Sequence, residues 1–197
     1  MTDTVVHIAQ RPKRGDAARN YDALLLAARS EFESHGTSAS LTDVATRAGV
    51  AIGTLYRHFP TRETLIEALT RDSLHGLIRH AEELESSSEA EAALREWVAH
   101  AVDHASVFRG LAALLSEEFY REGTPNHAAC EQMHGAAERL LARAQAARTV
   151  RDSVTSDELW SIILSAAWIR ETSPAEADRS NVVLRFALDG ITVAPTP

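Results

Sequence analysis

The chain has 197 residues, of which 45% are apolar, and its formal net charge is −8. Nine glycines and six prolines are few for this length, so the composition is typical of a mostly helical globular protein and excludes a disordered or fibrous chain. The single cysteine, Cys130, excludes an intrachain disulfide and favours a reducing, cytoplasmic setting. No apolar run approaches the roughly 18 residues of a membrane span and no signal peptide is recognisable, so no membrane partner is expected.

The negative net charge hides an uneven distribution along the chain. Residues 7–62 contain eight basic and five acidic side chains, whereas residues 76–197 contain eleven basic and nineteen acidic ones. The sequence therefore predicts a mildly basic N-terminal part attached to an acidic body, and the net charge does not exclude a nucleic-acid partner.

The N-terminal segment, residues 1–16, shows no apolar periodicity and is predicted to be a flexible basic arm, with an inert tail as the alternative. From residue 17 to residue 34, apolar side chains recur at helical spacing, and Gly36 supplies a stop. A first helix is therefore predicted over 17–34.

Two short helices separated by a tight turn are predicted next. Ser40 is a typical N-cap, with the carboxylate of Asp43 three residues later. Gly49 follows the first short helix, where a positive φ lets the chain turn sharply. The second spans 52–58 and ends before Pro60, because proline disfavours helix in the residue that precedes it. A helix, a tight turn and a second helix form an arrangement that many proteins use to read DNA.

The rest of the chain is predicted to form amphipathic helices separated by polar loops. A connecting helix capped by Thr61 is predicted over 62–84, followed by a loop rich in serine and glutamate. Further apolar stripes predict helices over about 94–105, 111–120, 127–147, 155–172 and 178–190. The predicted organisation is a basic arm at 1–16, a three-helix helix-turn-helix DNA-binding domain at 17–61, the connecting helix at 62–84, and a helical body at 85–197.

The run from Leu41 to Leu65 combines several short motifs. It reads LTDVATRAGVAIGTLYRHFPTRETL and contains Ala-x-x-Ala-Gly-Val, Gly-Thr-Leu-Tyr-x-His-Phe and a basic-Glu-x-Leu close. This run closely resembles the DNA-binding signature of the TetR family of transcriptional regulators. Ala51 departs from the serine common in the family, and Arg62 replaces a common lysine while keeping its charge. The resemblance implies an all-α repressor that binds palindromic double-stranded operator DNA as a homodimer and is released by a small-molecule effector. It also implies that the helical body, 85–197, is the ligand-binding and dimerisation domain.

The resemblance also implies which residues touch DNA. In the family, the positions matching Thr54, Tyr56 and Arg62 contact the phosphate backbone, which supplies most of the affinity, although Tyr56 could instead pack in the core. The side chain of Arg57 suits either a guanine or a further phosphate. Five positions face the major groove in the family, and several of them lack side-chain hydrogen-bonding groups. These positions match Thr42, Ala51, Ile52, Gly53 and Arg57.

Large side chains in the body are candidates to line an apolar effector cavity, or simply to form the core. These candidates are Trp97, His100, His104, Phe108, Phe119, Tyr120, Met133 and Trp160. The stretch 159–169 is apolar nearly all round, which a dimer interface would explain by covering its second face. A four-helix interface between two copies, as the family forms, is predicted to include Trp168, Val182, Val183, Phe186, Leu188 and Ile191.

Nine histidines raise the alternative of a metal-responsive regulator that uses His and Cys residues of the C-terminal domain. Two loose sets at near-helical spacing could supply nitrogen, oxygen and thiolate ligands: His100, Asp103 and His104, and His127, Cys130 and His134. Surface or cavity-lining roles explain these residues more simply, so no metal and no cofactor is predicted. The chain has no nucleophile elbow, phosphate-binding loop or HExxH motif, and an enzyme is not expected.

Overall fold

The structure, a computed structural model, describes residue 12 and residues 15–106, 122–123, 125–174 and 177–193. Within these ranges the chain is helical, with one isolated antiparallel bridge between Val150 and Thr192. The α-helices described are α1 (Asp16–His35), α2 (Leu41–Arg47), α3 (Ile52–His58), α4 (Arg62–Leu84), α5 (Ala90–Ser106), α6 (Pro125–Ala146), α7 (Ser156–Thr172) and α8 (Ser180–Ile191). The all-α prediction is confirmed, and none of these eight helices combines the length and apolar character needed to cross a bilayer.

Most helix ends lie within two residues of their predicted positions. The structure gives α3 and α4 the bounds expected from the sequence. The helix α5 begins at Ala90, before its apolar stripe starts, and just ahead of it the Ser87 hydroxyl accepts a hydrogen bond from the N–H of Glu89 at 3.2 Å. The helix predicted over 111–120 lies outside the described residues.

Two compact units make up the chain, residues 1–72 and residues 73–197. The division falls inside α4, so this helix begins in the first unit and ends in the second. Its 23 residues form an unbroken helix, about 35 Å long at the standard rise per residue.

The core of the first unit forms where α1 packs against α2 and α2 packs against α3. The ring centroids of Tyr21 and Phe59 lie 5.0 Å apart, which joins α1 to the end of α3. Burial raises the pKa of Tyr21, with the charge of Arg71 acting in the opposite direction. Fully buried large side chains, each worth about 1.5–3 kcal/mol of transfer free energy, are Leu24, Phe32, Val44, Leu55, Phe59 and Leu65.

Local capping contacts explain where the helices of the first unit begin. The Ser40 hydroxyl accepts a hydrogen bond from the N–H of Asp43 at 3.3 Å, which starts α2. Gly49 has a φ of +71°, in the left-handed region where glycine is favoured. The Thr61 hydroxyl accepts from the N–H of Thr64 at 3.2 Å, which starts α4. The caps and the turn predicted from the sequence are thus present.

The second unit is organised around α5, which packs against α6 and α7, while α7 packs against α8. Trp97 on α5 is fully buried, and its Nε1 donates to the carbonyl oxygen of Leu77 at 3.1 Å. The start of α7 is a capping box, in which Thr155 and Glu158 each accept a hydrogen bond from the other's backbone N–H. These hydrogen bonds to the carboxylate lower the pKa of Glu158.

Candidate functional site

The helix α3 buries one face and exposes the other. Leu55 is fully buried in the core of the first unit, which fixes the rotation of the helix. Tyr56, the next residue, is 48% exposed, so its ring is not part of that core. Five residues predicted from the sequence to contact DNA are exposed at the start and on the outer face of α3. They are Ala51, Ile52, Gly53, Tyr56 and Arg57.

Two threonines predicted to contact DNA lie on the two short helices, α2 and α3. Thr42 is exposed in the first turn of α2, and its carbonyl oxygen accepts from the hydroxyl of Thr46 at 2.9 Å. Thr54 is half-buried, and its N–H donates to the carbonyl oxygen of Ala51 at 2.8 Å, which closes the first turn of α3. Thr42 is therefore accessible on α2, whereas Thr54 is only partly accessible on α3.

Arg62, the first residue of α4, has a structural contact that the sequence did not predict. Its Nη2 donates a hydrogen bond to the carbonyl oxygen of Ala39, just before the N-cap of α2. The guanidinium carbon also lies 5.9 Å from the ring centroid of Phe32, within cation–π range. Arg62 thus secures the start of α4 to α1 and to the segment that leads into α2.

The cationic side chains of the two short helices have different surroundings. Burial, together with the charge of Arg57, lowers the pKa of His58 and so favours the neutral form of this ring. Arg47, at the end of α2, is ion-paired with the buried carboxylate of Glu31, a contact for which the sequence carried no signal. Arg57 is therefore the cation that α3 presents on its exposed face.

Comparison with known families matches both units of the chain. Residues 24–69 match the family model of bacterial regulatory proteins, tetR family, and residues 89–193 match that of the SbtR-like transcriptional regulator C-terminal domain. The chain belongs to the TetR family. It is a DNA-binding transcriptional regulator and not an enzyme, as the signature from Leu41 to Leu65 predicted.

Solved structures of TetR regulators are similar over nearly the whole chain. A TetR transcriptional regulator from Streptomyces coelicolor is 30% identical, with a TM-score of 0.70, over 88% of this chain and 99% of that one. A TetR regulatory protein from Mycobacterium vanbaalenii is also 30% identical, with a TM-score of 0.66, over 92% and 100%. FadR from Bacillus subtilis, solved with stearoyl-CoA, shares the fold at 17% identity and a TM-score of 0.56, over 87% and 99%. No curated protein matches the sequence.

In the TetR body, several residues predicted to line an effector cavity are buried. The rings of Trp97 and Trp160 meet edge to face, with centroids 5.8 Å apart. His134, which the sequence did not single out as cavity-lining, stacks on Trp160 at 4.3 Å, and burial lowers its pKa. The buried members of the predicted set are Trp97, His104, Met133 and Trp160, while Phe108, Phe119 and Tyr120 lie outside the described residues.

His100 occupies a different environment from the one expected of a cavity residue. It is exposed on α5, and its ring stacks on that of His80 with centroids 4.2 Å apart. The periodicity of α5 explains the difference. Trp97 and His104 belong to the buried stripe of this helix, whereas His100 lies just outside the edge of that stripe.

An apolar surface runs along α7 and α8. Trp168 and Phe186 are 61% and 66% exposed, and Val182 and Val183 are also exposed. Leu188 is buried within the second unit instead of facing outward, so it departs from the predicted dimer set. A groove of about 470 Å³ on this surface is lined by Leu164, Ser165, Trp168 and Ile169.

The two metal-ligand sets suggested by histidine spacing do not converge. In the first set, the buried His104 hydrogen-bonds through Nδ1 with the Ser73 hydroxyl, while Asp103 is ion-paired with Arg170. In the second, Nε2 of His127 lies 3.6 Å from Oε1 of Glu131, while Cys130 is buried and His134 stacks on Trp160. Helical spacing alone put these residues on common faces, but their side chains take separate partners.

Proposed function

We propose that this TetR-family regulator is a repressor that binds a palindromic operator as a homodimer and is released when the body binds a small amphipathic ligand. The single observation that carries the proposal is that buried residues of the body hydrogen-bond directly to α4. In this proposal the chain begins with a basic arm at 1–16, followed by the DNA-binding domain at 17–61. A connecting helix at 62–84 joins this domain to the ligand-binding and dimerisation domain at 85–197.

The proposed DNA contacts follow from exposure and chemistry. Arg57 is the guanine or phosphate contact of α3, and Ile52 offers a methyl surface to thymine. Tyr56 is half-exposed, with its hydroxyl at the end of a rigid ring, which suits a phosphate. The remaining contacts are assigned to Thr42, Ala51, Gly53, Thr54 and Arg62.

The proposed coupling runs through α4. The Nε1 of Trp97 donates to the carbonyl oxygen of Leu77, and the Ser73 hydroxyl is hydrogen-bonded to Nδ1 of His104. Near the end of the helix, Nη1 of Arg143 donates to the carbonyl oxygen of Leu84 at 3.0 Å. A ligand that displaces Trp97 or His104 therefore acts on α4 through contacts already made.

The chemistry of the proposed cavity favours an amphipathic ligand. Trp97, Met133 and Trp160 offer buried apolar surface. The indole Nε1 of Trp160 is buried and has no hydrogen-bond partner within the described part of the chain. Because a buried donor is costly to leave unpaired, a ligand with an acceptor atom next to an apolar body fits this site.

Dimerisation explains how a small movement of α4 would release DNA. A two-fold dimer must hold its recognition helices about 34–36 Å apart to reach successive major grooves. A ligand that favours a different position of α4 would change this spacing, with a coupling equal to its differential affinity for the two states.

Selection of bound DNA fragments by the full-length protein would identify the operator. Mass spectrometry of small molecules released on denaturation would identify a co-purified ligand.

Calorimetry then measures the affinity of that ligand for the free protein and for the operator-bound protein. We expect operator DNA to weaken ligand binding by about 5–150-fold, since coupling is reciprocal. Equal affinities would contradict the release mechanism.

A matched pair of tryptophan variants tests the proposed route. Trp97→Phe removes the donor to Leu77, and we expect it to reduce the affinity ratio between free and operator-bound protein. Trp168→Phe makes the same change on the proposed dimer surface, away from α4, and should leave the ratio intact while light scattering shows that the variant assembles as the wild type does. Equal ratios in wild type and both variants would exclude the Trp97 contact as the route.

A further inference from the structure

Three side chains of the second unit, from two different helices, bring potential metal ligands together. His80 lies on α4, and Glu96 and His100 lie one turn apart on the same face of α5. One nitrogen or oxygen atom from each lies within 4.8 Å of the other two. No other group of three such residues is gathered within the described part of the chain.

The surroundings of His80 leave one ring nitrogen available to bind a metal ion. Its Nε2 is buried and lies 3.4 Å from Oε1 of Glu96, yet makes no hydrogen bond within the described ranges. Its Nδ1 lies 3.7 Å from Oε2 of Glu83. A small movement of the exposed Glu83 side chain would let it accept a hydrogen bond from Nδ1, which would leave the Nε2 lone pair free to bind a metal ion. Metal-binding histidines are commonly oriented by a carboxylate in this way.

The stacking of the two imidazoles supports the same assignment. The rings of His80 and His100 lie nearly parallel, with an angle of 17° between their planes. With centroids 4.2 Å apart, the stacked rings hold an imidazole of α4 beside an imidazole of α5. The stacking therefore brings two potential nitrogen ligands together, as a metal site requires.

We propose that His80, Glu96 and His100 bind a divalent transition-metal ion, and that Zn²⁺ is the ion this donor set fits best. Two imidazoles and one carboxylate are unlike the all-oxygen sets that Ca²⁺ and Mg²⁺ require, and unlike the thiolate or thioether sets that Cu⁺ requires. Zinc has no geometric preference from its d-electrons and accepts three protein ligands with water in the fourth position.

Binding requires a small contraction of the site. Zinc bonds to nitrogen and oxygen of about 2.0–2.2 Å separate tetrahedral ligands by about 3.4 Å, so atoms up to 4.8 Å apart must approach one another. The side chain of Glu96 is 54% exposed and has room to make this movement. The bound ion would tie α4 to α5 between Leu77 and Leu84, which would give α4 a second input besides the proposed amphipathic ligand.

Cobalt and zinc titrations of the metal-free full-length protein test the site without operator DNA or an organic ligand. We expect one Co²⁺ per protomer with visible d–d bands, displaced by one Zn²⁺. Zinc at a hundredfold excess over its Kd should raise the apparent Tm by about 5–10 °C. Absence of a cobalt spectrum and of a zinc-dependent Tm shift would overturn the proposal.

Matched variants locate the ion. His100→Gln and His80→Gln should each weaken zinc binding at least about tenfold, and Glu83→Gln should weaken it by about 10–100-fold by releasing the His80 ring. His75→Gln removes an exposed histidine of α4 and should bind as wild type. Wild-type affinity in His100→Gln, or equal losses in His75→Gln and His100→Gln, would place the metal elsewhere and overturn the assignment. His100 is exposed, so its variant gives the answer even if His80→Gln fails to fold.

Discussion

Arg47 on α2 directs two guanidinium nitrogens at one carboxylate oxygen of Glu31 on α1. Its Nη2 lies 2.7 Å and its Nε 2.8 Å from Oε1 of Glu31. The other oxygen, Oε2, lies 3.3 Å from Nδ1 of His35. Glu31 is only 4% exposed, so the pair places a buried charge between the first helix and the helix-turn-helix and holds α2 against α1.

We expect Arg47→Ala to lower the free energy of unfolding by about 1–2 kcal/mol, because it removes the main partner of a buried carboxylate while Arg47 itself is partly screened by solvent. Urea unfolding measures this effect. The double variant Glu31→Leu with Arg47→Met should recover much of the loss, since an apolar pair leaves no buried charge. The control Arg19→Ala breaks a fully surface pair with Asp16 and should cost less than about 0.5 kcal/mol. Equal losses in Arg47→Ala and Arg19→Ala would show that Glu31 does not depend on Arg47.

Arg62→Ala should weaken operator binding nearly uniformly across sequences and reduce the slope of log K against log salt by about one unit, because one phosphate contact is lost. Fluorescence anisotropy at several salt concentrations gives the slope. Arg62→Lys keeps the charge but loses the planar donor to Ala39, so it should keep the slope and lose some stability. A changed sequence preference with an unchanged slope in Arg62→Ala would refute the phosphate assignment.

Trp168→Asp should yield a folded monomer. Trp168 is 61% exposed in the protomer, so the substitution is compatible with the fold, but a carboxylate placed in the proposed dimer interface would lose its hydration without a partner. Light scattering coupled to gel filtration measures the mass. Leu26→Asp places the same charge at an exposed apolar position of α1 and should remain a dimer. A well-folded dimer of Trp168→Asp would exclude this residue from the interface.

Stability should fall as the pH drops below about 6.5, in part through His134. Burial lowers the pKa of His134 from 6.5, although Asp157 acts in the opposite direction. The unfolded chain therefore binds a proton at a higher pH than the folded chain does. Between the folded pKa and 6.5 the unfolded state carries more protons, so the stabilisation is present above this range and lost as the pH falls through it.

His134→Gln should accordingly flatten the dependence of the free energy of unfolding on pH in this range. Urea denaturation at closely spaced pH values gives the slope. His75→Gln, which removes an exposed histidine, serves as the matched control. An unchanged slope in His134→Gln would show that this ring does not contribute to the acid sensitivity.

The sequence by itself determined most of the described helices and the family. Ser40, Gly49 and Thr61 act on backbone groups no more than three residues away, so their effects on helix ends are readable without knowing the rest of the fold. The DNA-binding signature lies in one continuous run, from Leu41 to Leu65, so it too could be recognised without knowing the rest of the fold. The exposure of Tyr56 beside the buried Leu55 also follows from helical periodicity once one face is known to be buried.

Only the tertiary structure decided which side chains meet across helices. Trp160 and Trp168 lie eight residues apart on α7, yet one packs against Trp97 and the other is exposed. Glu31 and Arg47 are separated by sixteen residues, and the ligand atoms of His80, Glu96 and His100 come together between two helices. Such contacts depend on the rotation and crossing of whole helices, which many weak packing interactions set together and no short run of sequence encodes.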